Sequence, residues 1–230
     1  MVAPYYSDEQ VVIYCGDCRE ILPSLPKVDL VLTDPPYGGN YDTDYTRFTG
    51  GLSPNCNWGN GIIGDDQIFD PAPWLSYPDV CIWGYQHFAQ RVPLGTILVW
   101  NKKRDSQLGT FLSDGELAWE NRGMGVYVYP YVWHGFDRQG ERGGVLHPTQ
   151  KPTALMVWCL GRFPEAKLTL DPFLGSGTTL VAAKDLGRKA IGIEIEEKYC
   201  EIAAKRCEAW QPSVWDTPVK KEKVEQEGLW

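Results

Sequence analysis

Residues 166–179 read AKLTLDPFLGSGTT, and the fold class can be inferred from this segment. Its apolar start has the pattern of a buried strand, and an apolar helical pattern follows from Leu180 to Leu186. Between them, Gly175 and Gly177 allow the backbone to approach a ligand closely, and the threonines that follow lie near a helix N-terminus, which favours a carboxylate. The stretch therefore predicts a strand, a glycine turn and a helix that together bind a ligand.

The same turn argues against two common nucleotide-binding motifs. A dinucleotide fingerprint needs a third glycine where this chain has Leu180, and no Gly-Lys-Ser/Thr run of a P-loop occurs. Residues 188–193 predict a second strand, which ends at Glu194, about 20 residues after Gly175, where ribose hydroxyls are commonly bound. The alternative for Glu194 is an ordinary acid before the helix predicted from Lys198 to Trp210.

A second motif, Asp34-Pro35-Pro36-Tyr37, follows the apolar run of residues 28–33. Proline fixes its own φ and pushes the preceding residue into an extended conformation, so Asp34 is expected at the tip of a strand. A carboxylate and a prolyl carbonyl there can accept both hydrogens of an exocyclic amino group, while Tyr37 stacks on the attached ring. The motif therefore suits a nucleobase, although Asp and Pro are also common in surface turns.

Four motifs occur in the order DPPY, HPTQKP, DPFLGSG and GIEI, starting at residues 34, 147, 171 and 192. Together they resemble the motifs of S-adenosylmethionine-dependent DNA amino-methyltransferases of the permuted group, in which the catalytic block precedes the cofactor block. The resemblance covers most of residues 11–209. It implies a Rossmann-like α/β fold, with a mostly parallel twisted sheet, helices on both faces and one antiparallel strand near the edge, drawn from residues 126–133. It also implies S-adenosylmethionine in place of a dinucleotide.

The resemblance assigns roles to residues at matching positions. The catalytic residues would be Asp34, Pro35, Pro36 and Tyr37, with the Asp34 carboxylate and the Pro35 carbonyl as the amino-group acceptors. The cofactor-binding residues would be Asp17, Thr149, Lys151, Asp171, Phe173, Gly175, Ser176, Gly177, Thr178 and Glu194. In this scheme the glycine loop lines the methionine part, Glu194 holds the ribose, and Asp17 meets the adenine amino group from the neighbouring strand tip.

Three of these positions also have plainer interpretations. Asp17 suits the N-cap of a helix over residues 19–25, and this is compatible with a cofactor contact. Thr149 suits the N-cap of a helix over residues 154–160, or, like Lys151, a contact with the methionine carboxylate. We expect His147 to be structural, because this mechanism needs no titrating imidazole.

DNA binding has to overcome the charge of the chain. A formal charge of −8 and a pI near 4.9 oppose non-specific attraction to phosphates, so any DNA face must be locally basic. Two basic clusters occur, residues 102–104 and the arginines at 138 and 142, and for each the alternative to DNA contact is a solvated surface turn. The candidate contacts are Lys102, Lys103, Arg104, Arg138 and Arg142, together with Arg47, Asn55 and Asn57 in an aromatic and glycine-rich loop over residues 38–79 that we expect to cover the base and help set specificity.

Length and composition agree with one catalytic domain over residues 1–210, followed by a C-terminal extension over residues 211–230. The chain has 230 residues and 43% hydrophobic content, enough for a sizeable core, and shows no transmembrane run or signal peptide. Cys15 and Cys18 form a CxxC pair without a second pair at zinc spacing, so we expect no metal, and the scattered cysteines suit reduced thiols in the cytoplasm.

The target base and the partners follow partly by analogy. Asp at the first position of the tetrapeptide is associated in the family more with adenine, so adenine N6 in double-stranded DNA is the expected substrate, with cytosine N4 as the alternative. An RNA or protein-glutamine methyltransferase would use the same amino chemistry, but the latter usually has Asn at that position. Because the chain has little recognition mass, we also expect a homodimer on DNA.

Overall fold

The structure is a computed structural model that describes residues 2–40, 61–110, 113–134, 137–140 and 146–211. In these residues the strands are β1 (Tyr6–Ser7), β2 (Val11–Cys15), β3 (Leu30–Thr33), β4 (Asp79–Trp83), β5 (Thr96–Asn101), β6 (Gly115–Glu120), β7 (Val126–Pro130), β8 (Trp133–His134), β9 (Asp137–Arg138), β10 (Leu168–Asp171) and β11 (Lys189–Glu194). The α-helices are α1 (Cys18–Ile21), α2 (Tyr85–Phe88), α3 (Thr153–Gly161), α4 (Thr178–Asp185) and α5 (Glu197–Glu208).

Nine of these strands form one sheet in the order β1-β2-β11-β10-β3-β4-β6-β5-β7. Most neighbours are parallel, as the sequence predicted. The expected position of the antiparallel strand was wrong, because β7, which lies in residues 126–133, runs parallel to β5. The antiparallel strands are β6, which runs against both β4 and β5, and the two-residue edge strand β1.

The chain order of the sheet matches the permuted arrangement. The N-terminal strand β2 pairs in parallel with β11, with Cys15 opposite Glu194, so the two strand tips lie side by side as predicted. The connection from β10 leads outward to β11, whereas that from β3 leads the opposite way to β4. The crevice between β3 and β10 is therefore the topological switch point, where open α/β sheets bind ligands beyond the carboxyl ends of the strands.

Helices and turns cover both faces of the sheet. One buried cluster packs α3, α4 and α5 against the strands through Leu155, Leu180 and Ala203. The other contains Ile21 and Phe88 and includes Phe69 and Trp74, so part of the predicted recognition loop of residues 38–79 is core. No helix within the described ranges is long and apolar enough to span a bilayer.

Candidate active site

Two Asp-Pro loops leave the sheet at the switch point. Asp34 follows β3 and Asp171 ends β10, and the Thr33 hydroxyl donates to the Asp171 carboxylate over 2.7 Å, which ties the two strand ends together. A cavity opens above this junction. It is lined from both loops and from the HPTQKP segment, by Asp34, His147, Thr149, Gln150, Lys151, Met156, Asp171, Phe173, Leu174, Gly175, Ser176, Thr178 and Thr179.

Asp34 lies in a buried network of charges. Its carboxylate accepts a hydrogen bond from the Tyr37 hydroxyl and one from the Lys151 ammonium, and its side chain is only 15% exposed. Burial raises the pKa of Asp34 to about 6, since it outweighs the stabilisation that Lys151 provides. Asp34 is thus mostly ionised at neutral pH, but it is a more basic acceptor than an exposed carboxylate.

Lys151 is shared between two carboxylates. Its ammonium lies 2.9 Å from Glu116, the second residue of β6, and Glu116 also accepts from Lys102 over 2.7 Å. Burial alone would raise the pKa of Glu116, but the two lysines lower it to about 2. Burial likewise favours a neutral Lys151, but Asp34 and Glu116 raise its pKa above the ordinary value. The ammonium therefore stays charged inside the site.

A buried carboxylate that the sequence analysis missed anchors the Asp34 loop. Asp65, which is 3% exposed, accepts hydrogen bonds from the backbone N–H groups of Tyr37, Gly38 and Gly39 over 3.0, 3.0 and 3.1 Å. Three donors converging on one oxygen fix the backbone after the two prolines. The position of the Tyr37 ring therefore depends on a residue 28 positions away in the sequence.

The Tyr37 ring is held by two residues around α2. His87 stacks on it, with ring centroids 4.8 Å apart and planes within 5°. On the edge side, a Cβ added to Gly84 would come 2.0 Å from Tyr37 Cε1, and Gly84 has a positive φ of +83°. Only glycine fits there. The ring orientation is thus fixed by the protein itself, which is what the predicted stacking role of Tyr37 requires.

The glycine loop is held by Glu194. One oxygen of its carboxylate accepts from the Gly175 N–H and the other from the Glu196 N–H, both over 2.8 Å. Burial raises the pKa of Glu194, and these backbone hydrogen bonds oppose the rise. The Ile195 N–H acts in the same direction as these two donors, so the carboxylate is held in place by the backbone around it. Gly175 has a φ of +53°, a conformation that favours glycine, and without a side chain its backbone lines the cavity directly.

Asp171 and two hydroxyl residues of the glycine loop bond within the protein. The Asp171 carboxylate accepts from Thr33, from Thr179 over 2.6 Å and from the Phe173 N–H over 3.2 Å. Arg206 of α5 donates to the hydroxyls of Ser176 and Thr178 over 3.1 and 3.2 Å. These contacts fix the loop, and direct contact of these residues with a cofactor stays a prediction.

Asp17 caps α1, as one interpretation of the sequence predicted. Its side chain accepts from the Arg19 N–H over 2.9 Å and pairs with the Arg19 guanidinium, which lowers the pKa of Asp17. The preceding residue, Gly16, donates its N–H to the Glu194 carbonyl over 2.8 Å. Asp17 is therefore at the strand tip beside Glu194, where the proposed cofactor contact requires it, although the contact itself is untested.

The HPTQKP segment packs over the glycine loop. The His147 ring lies against Tyr199, with centroids 4.3 Å apart, and 3.6 Å from where a Gly175 side chain would begin. Burial and the nearby Lys151 and Lys198 lower the pKa of His147 to about 4, so the ring is neutral at pH 7. The N-cap prediction for Thr149 was wrong, because α3 begins at Thr153 with Pro152 at the cap position.

The basic candidates for DNA contact differ in exposure. Arg104 is 60% exposed and forms a bidentate pair with Asp137 of β9, over 2.9 and 3.0 Å, and Arg138 lies over the Trp133 ring. Lys103 does not suit a phosphate contact, because its side chain is 1% exposed and pairs with Asp114. Lys102 is 17% exposed and belongs to the Glu116 pair. The other predicted contacts, Arg47, Asn55, Asn57 and Arg142, lie outside the described residues.

The fold and the cavity are those of a Rossmann-like α/β enzyme in which a buried aspartate lies beside a glycine loop. A family model described as DNA methylase, of the N6/N4 type, matches residues 126–205. A type II methyltransferase from Lactococcus lactis subsp. cremoris, M2.LlaDCHI, is 48% identical, over 90% of this chain and 92% of the relative. M.ScaI from Streptomyces caespitosus, also a type II methyltransferase, is 30% identical over 92% of this chain and 86% of its own length. The chain belongs to the N6/N4 DNA methylase family.

Solved structures agree with this membership. The M1.HpyAVI–SAM complex superimposes with a TM-score of 0.52 and 26% identity, covering 85% of this chain and 99% of that one. The cytosine-N4-specific PvuII DNA methyltransferase gives a TM-score of 0.55 over 92% of this chain and 90% of its own, at 16% identity, and so supports the fold alone. The family and fold implied by the four sequence motifs are confirmed.

Proposed function

We propose that this enzyme transfers a methyl group from S-adenosylmethionine to the N6 amino group of an adenine flipped out of double-stranded DNA. One observation carries the proposal. Asp34, the acceptor at the tip of β3, and Gly175, in the loop after β10, line the same cavity at the switch point of the sheet. Methyl transfer needs an acceptor nitrogen and a donor carbon held in line at short distance, and a shared cavity supports such an arrangement.

The residues around the glycine loop fit S-adenosylmethionine. Gly175 lines the cavity with its backbone, and Glu194 is a buried carboxylate at the tip of the adjacent strand that would accept from the ribose hydroxyls. Asp17 at the next strand tip would meet the adenine amino group, and Phe173, Ser176, Gly177 and Thr178 would border the methionine part. When bound, this cofactor supplies a methyl group already activated by its sulfonium.

The protein's part in the reaction is to make the amino nitrogen nucleophilic. The lone pair of that nitrogen is delocalised into the ring, and two acceptors that draw its hydrogens out of the plane oppose the delocalisation. Asp34 and the Pro35 carbonyl would be these acceptors, with Pro36 keeping the turn rigid. Stacking on Tyr37 offsets part of the few kcal/mol needed to flip the base. Lys151 stabilises the ionised Asp34, and Lys151 or Thr149 would bind the methionine carboxylate.

DNA binding would use the exposed Arg104 and the half-buried Arg138. Arg104 and Arg138 are joined through the β8–β9 hairpin, since Arg104 pairs with Asp137 and the Trp133 N–H donates to the Lys102 carbonyl over 3.0 Å. We place the catalytic domain at residues 1–210, the extension at 211–230 and the reaction in the cytoplasm. A homodimer would add DNA contacts, and light scattering that finds a monomer with and without DNA would dismiss it.

The test uses labelled S-adenosylmethionine with duplex DNA, RNA and a protein extract, followed by digestion and separation of the methylated nucleosides. The expected product is N6-methyladenine in DNA. Label in N4-methylcytosine would keep the reaction class and overturn the choice of base. Label only in RNA or protein, or in no product, would refute the proposed function. Sequencing of the methylated duplexes then gives the recognition sequence.

A further inference from the structure

Four side chains of alternating charge run from the acceptor carboxylate away from the cavity. Asp34 accepts from Lys151, Lys151 lies 2.9 Å from Glu116, and Glu116 accepts from Lys102 over 2.7 Å. The Lys151 side chain is 6% exposed and that of Glu116 is 27% exposed, so solvent screens these contacts weakly. Asp34 is thus the end of a fixed chain of charges.

The topology of the sheet explains how Glu116 reaches this place. β6 runs antiparallel to its neighbours, so its first residues lie at the edge where the parallel strands end. Glu116 is paired with Trp100 near the end of β5, and Lys102 follows directly after β5. Because β6 is reversed, its N-terminal residues, and with them the Glu116 carboxylate, lie at the edge of the sheet where ligands bind. A parallel strand in its place would have its C-terminal residues there.

We propose that Glu116 is a positioning residue for methyl transfer, which holds the Lys151 ammonium in place beside Asp34 and takes part of its charge, so that Asp34 keeps the capacity to accept the amino group. The inference rests on the proposed role of Asp34 as acceptor. Lys102 completes the arrangement, because it occupies the other oxygen of Glu116 and fixes the plane of that carboxylate.

Sharing Lys151 between Asp34 and Glu116 matters because Asp34 has two requirements: it must stay ionised, and it must keep the capacity to accept a further hydrogen bond. A buried carboxylate without a cation would become neutral and lose its acceptor strength, whereas one that has an ammonium to itself is already satisfied and binds the amino group weakly. Sharing Lys151 between two carboxylates gives an intermediate state. The charged and titratable groups that face Asp34 are Lys151, Glu116, Asp171 and Tyr37, and Glu116 in turn faces Lys102.

The direction of a pH effect follows from the same contacts. Burial raises the pKa of Asp34, Lys151 lowers it, and the like charge of Glu116 raises it further. Glu116→Gln removes that repulsion and leaves Lys151 to Asp34 alone. Both changes favour the ionised form of Asp34, so the acidic limb of the rate profile moves to lower pH while the maximal rate falls.

Glu116→Gln is compared with Glu120→Gln, its matched control. Glu120 is also on β6, is 3% exposed and pairs with Arg162 over 2.6 Å, but it lies at the far end of the strand. For Glu116→Gln we expect kcat to fall about tenfold, less than the roughly hundredfold or more that a direct contact contributes. Donor affinity stays within about threefold, and the acidic limb shifts down. Glu120→Gln loses thermal stability with the limb unmoved.

Glu116→Asp should recover part of the rate and keep the acidic limb near its original pH. If Glu116→Gln does not fold, the pH profile of Glu116→Asp decides: a shortened carboxylate that leaves both kcat and the limb unchanged overturns the inference. A wild-type rate and limb in folded Glu116→Gln overturns it too. In that case an inactive Asp34→Asn would leave the proposed function standing, whereas an active Asp34→Asn would refute the role of Asp34 itself.

Discussion

Replacing Asp34 by Ala tests the acceptor role most directly. The change removes the charged acceptor at the tip of β3 but leaves the glycine loop and Glu194 in place. Loss of one preorganised group in a site that excludes water lowers kcat by about 10²–10³, or about 3–4 kcal/mol of transition-state stabilisation. Donor affinity should stay within about threefold, because the acceptor is needed only when the amino group is activated.

The same change has a separate effect on folding. Lys151 loses one carboxylate but keeps Glu116 at 2.9 Å, so its charge is not left without a partner. The loss in unfolding free energy should therefore be about 2 kcal/mol, nearer to one charged hydrogen bond than to the 3–5 kcal/mol of a fully broken buried pair. Asp79→Asn is a matched control, since Asp79 is a buried carboxylate paired with Arg122. It begins β4 and therefore lies at the edge of the sheet away from Asp34.

The assay is single-turnover transfer of labelled methyl groups to a duplex substrate, with calorimetry of donor binding and thermal melting on the same preparations. Asp79→Asn should melt earlier and turn over normally. Asp34→Ala should bind the donor and fail to transfer. A folded Asp34→Ala that retains more than about a tenth of the wild-type rate would refute the reasoning, because another group would then have to activate the nitrogen.

Three further outcomes are expected. Gly175→Val should weaken donor binding more than about tenfold in calorimetry, because position 175 has a φ of +53° and lines the cavity with bare backbone. Gly161→Val is the control and should bind the donor normally, since nothing lies within 4 Å of the added carbon. Equal donor affinity in the two variants would show that the donor binds elsewhere. Asp65→Ala leaves three backbone N–H groups without their acceptor and should lower kcat/KM for DNA by about tenfold with donor affinity unchanged, and a normal kcat/KM would show that the loop holds itself. The pKa of Asp34 is raised to about 6, and the proposed acceptor is its ionised form, so kcat should fall as the pH drops through about 6. A kcat that stays unchanged down to pH 4.5 would exclude this titration.

The sequence predicted those parts of the fold whose signals are local. The strand–glycine–helix unit at residues 166–186 appears as β10 and α4, and the pairing of β2 with β11 followed from the resemblance. β4 and β6 were missed. β6 reads GELAWE, and its glutamates and glycine give little strand preference, so its conformation comes from pairing with strands on both sides.

The candidate site was predictable to the same extent. Its motif residues could be predicted because each motif is a short run whose chemistry follows from adjacent residues, and Asp34, Lys151 and Gly175 do line one cavity. The residues that support them were not, since Glu116 is far in sequence from both Asp34 and Lys151, and Asp65 is an acid in a loop like many others. Only the fold brings such groups to one edge, and no periodicity or spacing in the chain marks them.

Two Asp-Pro pairs show why local sequence cannot assign these roles. Asp171 ends a buried strand and Asp34 directly follows one, both precede proline, and burial raises the pKa of both. Asp171 accepts from two threonine hydroxyls and a backbone N–H, donors that belong to the fold and remain in place. Asp34 accepts from a tyrosine hydroxyl and a shared ammonium, side-chain donors that can yield a position to a substrate. The identity of the donors, and not the dipeptide, makes Asp171 a brace between strands and suits Asp34 to the acceptor role that we propose for it.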